Sequence, residues 1–189
     1  MQALHDMGYE TITVTELAAA LREGGSLPAR PVVLTFDDGY DDLYLNAYPI
    51  MQEFGFIGTM YLVANNFANK YGVSSQQVLE MYKSGWEVAS HSMTHANLRK
   101  DNVDLRDEIC NSRLDLVSIL NIPIYSFAYP YVEADEYIKN FTRDCGYTSG
   151  VGAGPGNSHT LEHVYFLSRR EVQGNFTLDE FRELLKIYR

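Results

Sequence analysis

Short β-rich runs alternate with helical runs along this chain, and three of the β-runs stop directly on residues that carry chemistry. Val32-Val33-Leu34-Thr35-Phe36, a near-continuous apolar run led in by Pro31, is followed by Asp37-Asp38-Gly39. Trp86-Glu87-Val88-Ala89-Ser90 runs into His91-Ser92-Met93-Thr94-His95, and Tyr125–Ala128 is followed shortly by Pro130-Tyr131. Strand–helix alternation predicts parallel strands with helices outside them. In such folds the functional groups gather at the carboxyl ends of the strands, whether the sheet closes into a barrel or stays open. Both architectures satisfy the pattern, and six or seven strands in 189 residues fall short of a regular eightfold barrel.

The remaining elements follow from local signals. Thr13 and Glu16 form a capping box that opens a helix through Leu17, Ala20 and Leu21, stopped at Gly24-Gly25. Residues 41–54 read as a helix interrupted at Pro49, Ile57 to Val63 as a buried strand, and Ser75 to Lys83 as a helix ended by Gly85. A longer helix is expected over 103–120, another over 134–144, and further strands at Tyr147–Val151 and Tyr165–Val172. Thr177 and Glu180 form a second capping box for a final amphipathic helix through Phe181, Leu184 and Leu185. No linker or repeat interrupts residues 1–189, which read as one domain.

Charge excludes some partners. Lys and Arg number 15 against 25 Asp and Glu, a net charge of −10, whereas nucleic acid and anionic membranes require clustered cations. No run of 18 apolar residues predicts a membrane span, and no basic stretch followed by an apolar one opens the chain as an export signal. The abrupt helix-like start is what a fragment whose export signal was removed would show, and whether residues ahead of Met1 complete the barrel is left open. The 14 Tyr suit a core and equally the walls of a carbohydrate cleft. Cys110 and Cys145, with no CxxC spacing, are expected to be buried free thiols rather than a bridge.

The strand-end residues suit metal-assisted hydrolysis. Imidazoles four residues apart, His91 and His95, fall on one face of a helical turn, where both reach one ion. Two histidines with one carboxylate leave coordination positions open, as a catalytic site requires. The adjacent Asp37 and Asp38 can divide the work, one binding metal and the other acting as general base toward the attacking water. A second HxxxH pair, His159 and His163, follows the glycine-rich stretch 150–157, with no strand end or paired carboxylate beside it. It reads as loop surface.

These motifs, in order and interval, resemble those of the polysaccharide deacetylases, the NodB-homology enzymes of carbohydrate esterase family 4. The residues that carry the resemblance are Thr35-Phe36-Asp37-Asp38-Gly39-Tyr40, His91-Ser92-Met93-Thr94-His95, Phe127-Ala128-Tyr129-Pro130-Tyr131, and Gly146-Tyr147 with Gly150-Val151. The resemblance covers nearly the whole chain. It implies a distorted, incomplete (β/α) barrel of about six or seven parallel strands. It implies Asp37 as general base, and Asp38, His91 and His95 as ligands of a divalent metal, usually zinc, with cobalt, nickel or manganese accepted by relatives. The Tyr131 N–H would stabilise the oxyanion. The implied substrate is an N-acetylglucosamine-containing glycan, and the implied location is outside the cytoplasm of a bacterium; oligomeric state is left open.

Three departures mark this chain. Ala128 stands where many relatives carry an Arg that fixes the base, though the FAYPY form resembles the poly-N-acetylglucosamine deacetylases. Arg169, in Leu167-Ser168-Arg169, is the expected substitute guanidinium. Val132 stands where a Gly commonly follows the Pro-Tyr pair, and no late Leu-x-x-His motif supplies a general acid, leaving only His159 and His163 downstream. Two other readings remain at this point: a degenerate domain of the same fold that only binds glycan or metal, and an O-acetyl xylan-type esterase.

Overall fold

The computed structural model describes residues 1–67, 69–154 and 158–185. Among them, two parallel sheets carry the chain. Strands β1 (Glu10–Ile12) and β2 (Pro31–Val33) pair with each other. The main sheet runs β3 (Thr35–Phe36), β4 (Thr59–Leu62), β5 (Glu87–Ser90), β6 (Ser126–Ala128) and β7 (Ser149–Val151), in that spatial order. Strictly sequential order is the winding of a barrel; an open doubly wound sheet reverses direction at a switch point.

The expected single strand through 32–36 is in fact two strands in two sheets, divided at Leu34. The strand expected at Tyr165–Val172 is reduced to one parallel bridge, Leu167 to Val151, although backbone hydrogen bonds between residues 164–169 and residues 150–154 run along the β7 edge. Leu167 both pairs with that edge and packs in the core, which is why the segment read as strand.

The helices are α1 (Gln2–Asp6), α2 (Val14–Ala19), α3 (Tyr48–Glu53), α4 (Ser75–Lys83), α5 (Ser112–Leu120), α6 (Glu136–Asp144) and α7 (Leu178–Leu184). Both expected capping boxes form, at Thr13–Glu16 and Thr177–Glu180, and a third at Ser74–Gln77 opens α4. The helix expected over 41–54 is a wide-turned segment, Leu43–Ala47, continued by α3 with Pro49 in its first turn, where a missing N–H costs nothing. The helix expected over 103–120 likewise opens with a wide-turned segment, Arg106–Asn111.

Strand alternation divides the interior into two cores. Met60, Leu62, Val88 and Phe127 face the outer helices, packing with Met51, Met81, Trp86, Ile109 and Leu116. Tyr61, Ala89, Ala128 and Val151 face the other way and pack with Val14 and Leu17 of α2 and with Leu167. The two-residue period of a strand then carries this inner column upward. His91 lies two residues beyond Ala89, Pro130 two beyond Ala128, and Asp37 two beyond Thr35. At the opposite end of the same column, buried Glu87 accepts hydrogen bonds from the Thr15 N–H (2.9 Å), Thr15 hydroxyl (2.7 Å), Thr59 hydroxyl (3.1 Å) and Ser126 hydroxyl (2.6 Å). This carboxylate ties α2 to three strands. Replacing it by Gln, which offers one acceptor oxygen in place of two, is expected to cost about 1–3 kcal/mol of stability in denaturant titrations without changing metal affinity.

Cys110 and Cys145 form a disulfide, contrary to the free thiols expected. Sequence distance misleads here, because the wide-turned segment before α5 and the end of α6 bring the two cysteines together with Cα atoms 4.9 Å apart. The Tyr147 hydroxyl, donating to the Ile109 carbonyl at 2.9 Å, fastens the same junction.

Candidate active site

The carboxyl ends of β3, β5 and β6 bring the chemistry-bearing residues together. The chain leaves β3 in a tight turn closed by the Gly39 N–H on the Asp37 carbonyl at 3.0 Å. Gly39 has φ +72°, and a Cβ there would meet the Leu62 side chain at 2.6 Å, so both conformation and space call for glycine. Asp38 is also left-handed, with φ 72°.

His91 and His95 converge, but not on a helical turn. Residues 91–97 have no regular secondary structure, and Ser92 (φ 70°) and His95 (φ 62°) adopt left-handed conformations instead. The two rings meet as expected, but not through the helical geometry expected of them. The Ser92 hydroxyl accepts the His95 N–H at 2.9 Å and holds the turn closed. Further along the rim, Tyr131 (φ 58°) and Val132 (φ 61°) are left-handed too. Of the six non-glycine residues with positive φ among those described, only Asn121 lies away from this site. Each such residue costs on the order of 1–3 kcal/mol, and concentration of strain at one place is typical of a functional centre. Val132, where a glycine is common among the resembling proteins, is the least comfortable of them because its Cβ is branched.

Asp38, His91 and His95 form a group able to hold a metal ion, their ligand atoms all within 4.8 Å of one another. The Asp38 Oδ1 lies 3.7 Å from both His91 Nε2 and His95 Nε2. That is too long for hydrogen bonds and close to the roughly 3.3 Å between two ligands of a tetrahedral ion bound at about 2.0–2.1 Å. His91 is 3 % exposed, and its Nδ1 donates to the Ala128 carbonyl at 2.9 Å. That bond leaves the Nε2 lone pair directed at the carboxylates. Burial holds the His91 pKa below its ordinary value, so the ring stays neutral and able to ligate. The residues thus fit a divalent metal.

Asp37 is engaged separately. Arg169 donates from Nη1 to Oδ1 at 2.6 Å and from Nη2 to Oδ2 at 2.8 Å, a two-bond fork on the carboxylate. The guanidinium is itself fixed by the Thr35 hydroxyl and the Gly152 carbonyl, each at 3.1 Å, and lies over the Tyr61 ring. Burial alone would raise the Asp37 pKa; the hydrogen bonds and charge of Arg169 outweigh it and hold the carboxyl below its usual range. The Asp37 Oδ2 remains 3.9 Å from His91 Nε2, beside the metal-capable group.

The Tyr131 ring is 62 % exposed and lies 4.9 Å from the His95 ring, placing it on the site's rim. His163 is exposed with Nδ1 against the Thr160 hydroxyl at 2.9 Å, and His159 is half-buried; neither belongs to the metal-capable group. Residues 155–157 of the glycine-rich stretch lie outside those described. Sequence reading missed the Thr35 hydroxyl and the Gly152 and Ala128 carbonyls. The alternation that puts Thr35 on the face of Asp37 was legible; the carbonyls leave no trace in side-chain identity.

The sequence model of the polysaccharide deacetylase family matches residues 24–150. The chain belongs to the polysaccharide deacetylase family. The protein YxkH of Bacillus subtilis is 28 % identical over 173 residues, 91 % of this chain and 62 % of that protein. A poly-β-1,6-N-acetyl-D-glucosamine N-deacetylase of Staphylococcus aureus is 38 % identical over 87 residues, covering 43 % of this chain and 30 % of that enzyme. The chain therefore spans less than two thirds of the length of either. In three dimensions, 98 % of it superposes on 84 % of the Streptococcus pyogenes deacetylase PplD with a TM-score of 0.89 at 22 % identity. IcaB from Ammonifex degensii matches 97 % of it, over 84 % of its own length, with a TM-score of 0.84 at 21 % identity. The curled, incomplete (β/α) barrel is the shared fold. No described helix of this family member is long and apolar enough to cross a membrane.

Proposed function

We propose that this polysaccharide deacetylase family member hydrolyses acetamide groups on an N-acetylglucosamine-containing glycan, releasing acetate. One observation carries the reading. Two adjacent carboxylates are held for different tasks: Asp38 faces His91 and His95, while Asp37 is gripped by Arg169 and left beside them. A module that only binds metal or glycan has no use for the second carboxylate. The staphylococcal relative's substrate supports a β-1,6-linked polymer.

Asp38, His91 and His95 would hold the ion, with zinc favoured by the mixed nitrogen and carboxylate set. When bound, it supplies Lewis acidity toward the acetamide carbonyl. Asp37 takes the proton from the attacking water, and Arg169 keeps that carboxylate ionised and in one orientation. The Tyr131 N–H would receive the developing oxyanion, as in the proteins this chain resembles, and the exposed Tyr131 ring forms a wall for the sugar. The water oxygen bonds to the acetyl carbon, the C–N bond breaks as the nitrogen takes up the proton Asp37 removed from water, and acetate and the free amine leave.

The disulfide supports a location outside the cytoplasm, since such bonds persist in oxidising compartments. Arg169→Lys is expected to lower kcat by about 10–100-fold with zinc affinity retained, because an ammonium cannot reproduce the fork. Acetate release measured in parallel from poly-β-1,6-N-acetylglucosamine, chito-oligosaccharides and acetylated xylan tests the substrate. Release from the amino-sugar polymers is expected; release from acetylated xylan alone would replace this reading with that of an O-acetyl esterase.

The pH dependence follows from the two shifted groups. Asp37 titrates below its usual value, so its ionised form adds stability above the ordinary carboxylate pKa and is lost only as pH falls through the lowered one. It is therefore ionised throughout the mildly acidic range. His91 is also lowered, so acid costs stability and metal affinity only as pH drops below its ordinary 6.5. The acid limb of kcat/KM is expected below pH 6.5, and a midpoint above it would contradict this assignment.

A further inference from the structure

We infer that Glu108 is a positioning residue that fixes His95 beside His91 for metal. The inference rests on the metal-dependent reading above. Glu108 lies on the wide-turned segment before α5, only 5 % exposed, where a carboxylate is costly unless its oxygens are satisfied. Its acceptors are spent on the loop between the ligands. The Met93 N–H (3.1 Å) and the Thr94 N–H (3.0 Å) both donate to Oε2, and the Thr94 hydroxyl (2.5 Å) donates to Oε1. The Glu108 carbonyl also accepts from the Met93 N–H at 3.1 Å and from the Ser112 hydroxyl at 2.7 Å.

Those contacts fall on the two residues separating left-handed Ser92 from left-handed His95. From the other side, the Ala64 N–H donates to the Ser92 carbonyl (3.0 Å) and the Asn65 N–H to the Met93 carbonyl (2.9 Å). The loop is thus clamped between the end of β4 and one buried carboxylate. Without the carboxylate the Thr94 N–H and hydroxyl would lose their acceptor, the Met93 N–H would keep only the Glu108 carbonyl, and the strained turn would relax toward ordinary backbone. His95 rides on that turn; His91 is held independently through its bond to Ala128. Glu108 touches neither ligand side chain, so it acts through the loop alone.

The test compares side-chain length with charge, reading zinc affinity by chelator competition rather than activity. Glu108→Asp keeps the charge but withdraws the carboxylate by one methylene; zinc is expected to bind about 10-fold more weakly or worse, the range of groups that orient metal ligands. Glu108→Gln keeps the length, with its carbonyl oxygen on the two N–H groups and its amide on the Thr94 hydroxyl; it is expected to stay within about 3-fold of wild type. Glu87→Gln, a change at a buried carboxylate in the far end of the barrel, serves as control: it lowers the melting temperature and leaves zinc affinity alone. Should Glu108→Asp not fold, Thr94→Val replaces it, with zinc release at least about 3-fold faster expected. Zinc binding by Glu108→Asp equal to wild type, equally weak binding by Gln and Asp, or unchanged release from Thr94→Val would each overturn the inference. A wild-type chain that binds no zinc would instead defeat the metal-dependent reading itself.

Discussion

Asp37→Asn is expected to reduce kcat for acetate release by about 10³-fold, within the range for loss of a positioned general base. Zinc affinity should be little changed, because Asp38, His91 and His95 keep their donors. The substitution is nearly isosteric, yet it gives Arg169 one acceptor oxygen and one unsuitable N–H2 in place of two acceptors. A stability loss of about 1–2 kcal/mol should accompany the kinetic one, as expected when one bond of a charge-assisted pair is removed. Kinetics at saturating zinc separate the two effects. A variant that folds, binds zinc and still turns over at half the wild-type rate would remove Asp37 from the role of base.

His91→Ala is expected to abolish metal binding in practice, weakening zinc by at least about 10³-fold and removing acetate release at micromolar zinc. The magnitude reflects what would be lost: one of the three proposed ligands, whose tautomer is set by the Ala128 carbonyl. A cavity is left as well, since His91 is buried above Ala89 in the inner column. The unfolding midpoint of the metal-free protein controls for that cost. His95→Ala should be milder in stability, because that ring is part-exposed, and similar in its loss of zinc.

Much of this architecture was legible because function and strand ends coincide. The Asp37-Asp38-Gly39 and His91-to-His95 segments follow strand-like runs, so chemistry and topology pointed to one place. Three errors share a cause: interactions distant in sequence leave no local signature. The break at Leu34 depends on which partner each half of the run finds, β1 or β4. The Cys110–Cys145 bond depends on how α5 and α6 dock. Glu108 reads as one more acid in an acidic helix start until its carboxylate is seen beneath the histidine loop. The helical spacing of His91 and His95 misled in the other direction. Two left-handed residues achieve the convergence that a helix would, and nothing in Ser92 or His95 announces a positive φ. Arg169 was legible as the substitute guanidinium for the base, whereas the two-bond geometry of its fork on Asp37 was not.

The decisive measurement is acetate release from poly-β-1,6-N-acetylglucosamine by the wild-type chain, stripped of metal by chelator and then given stoichiometric zinc. The account predicts negligible release from the stripped protein and full recovery with zinc. Equal release before and after zinc would contradict metal-dependent deacetylation at Asp38, His91 and His95, and so would none in either state despite tight zinc binding.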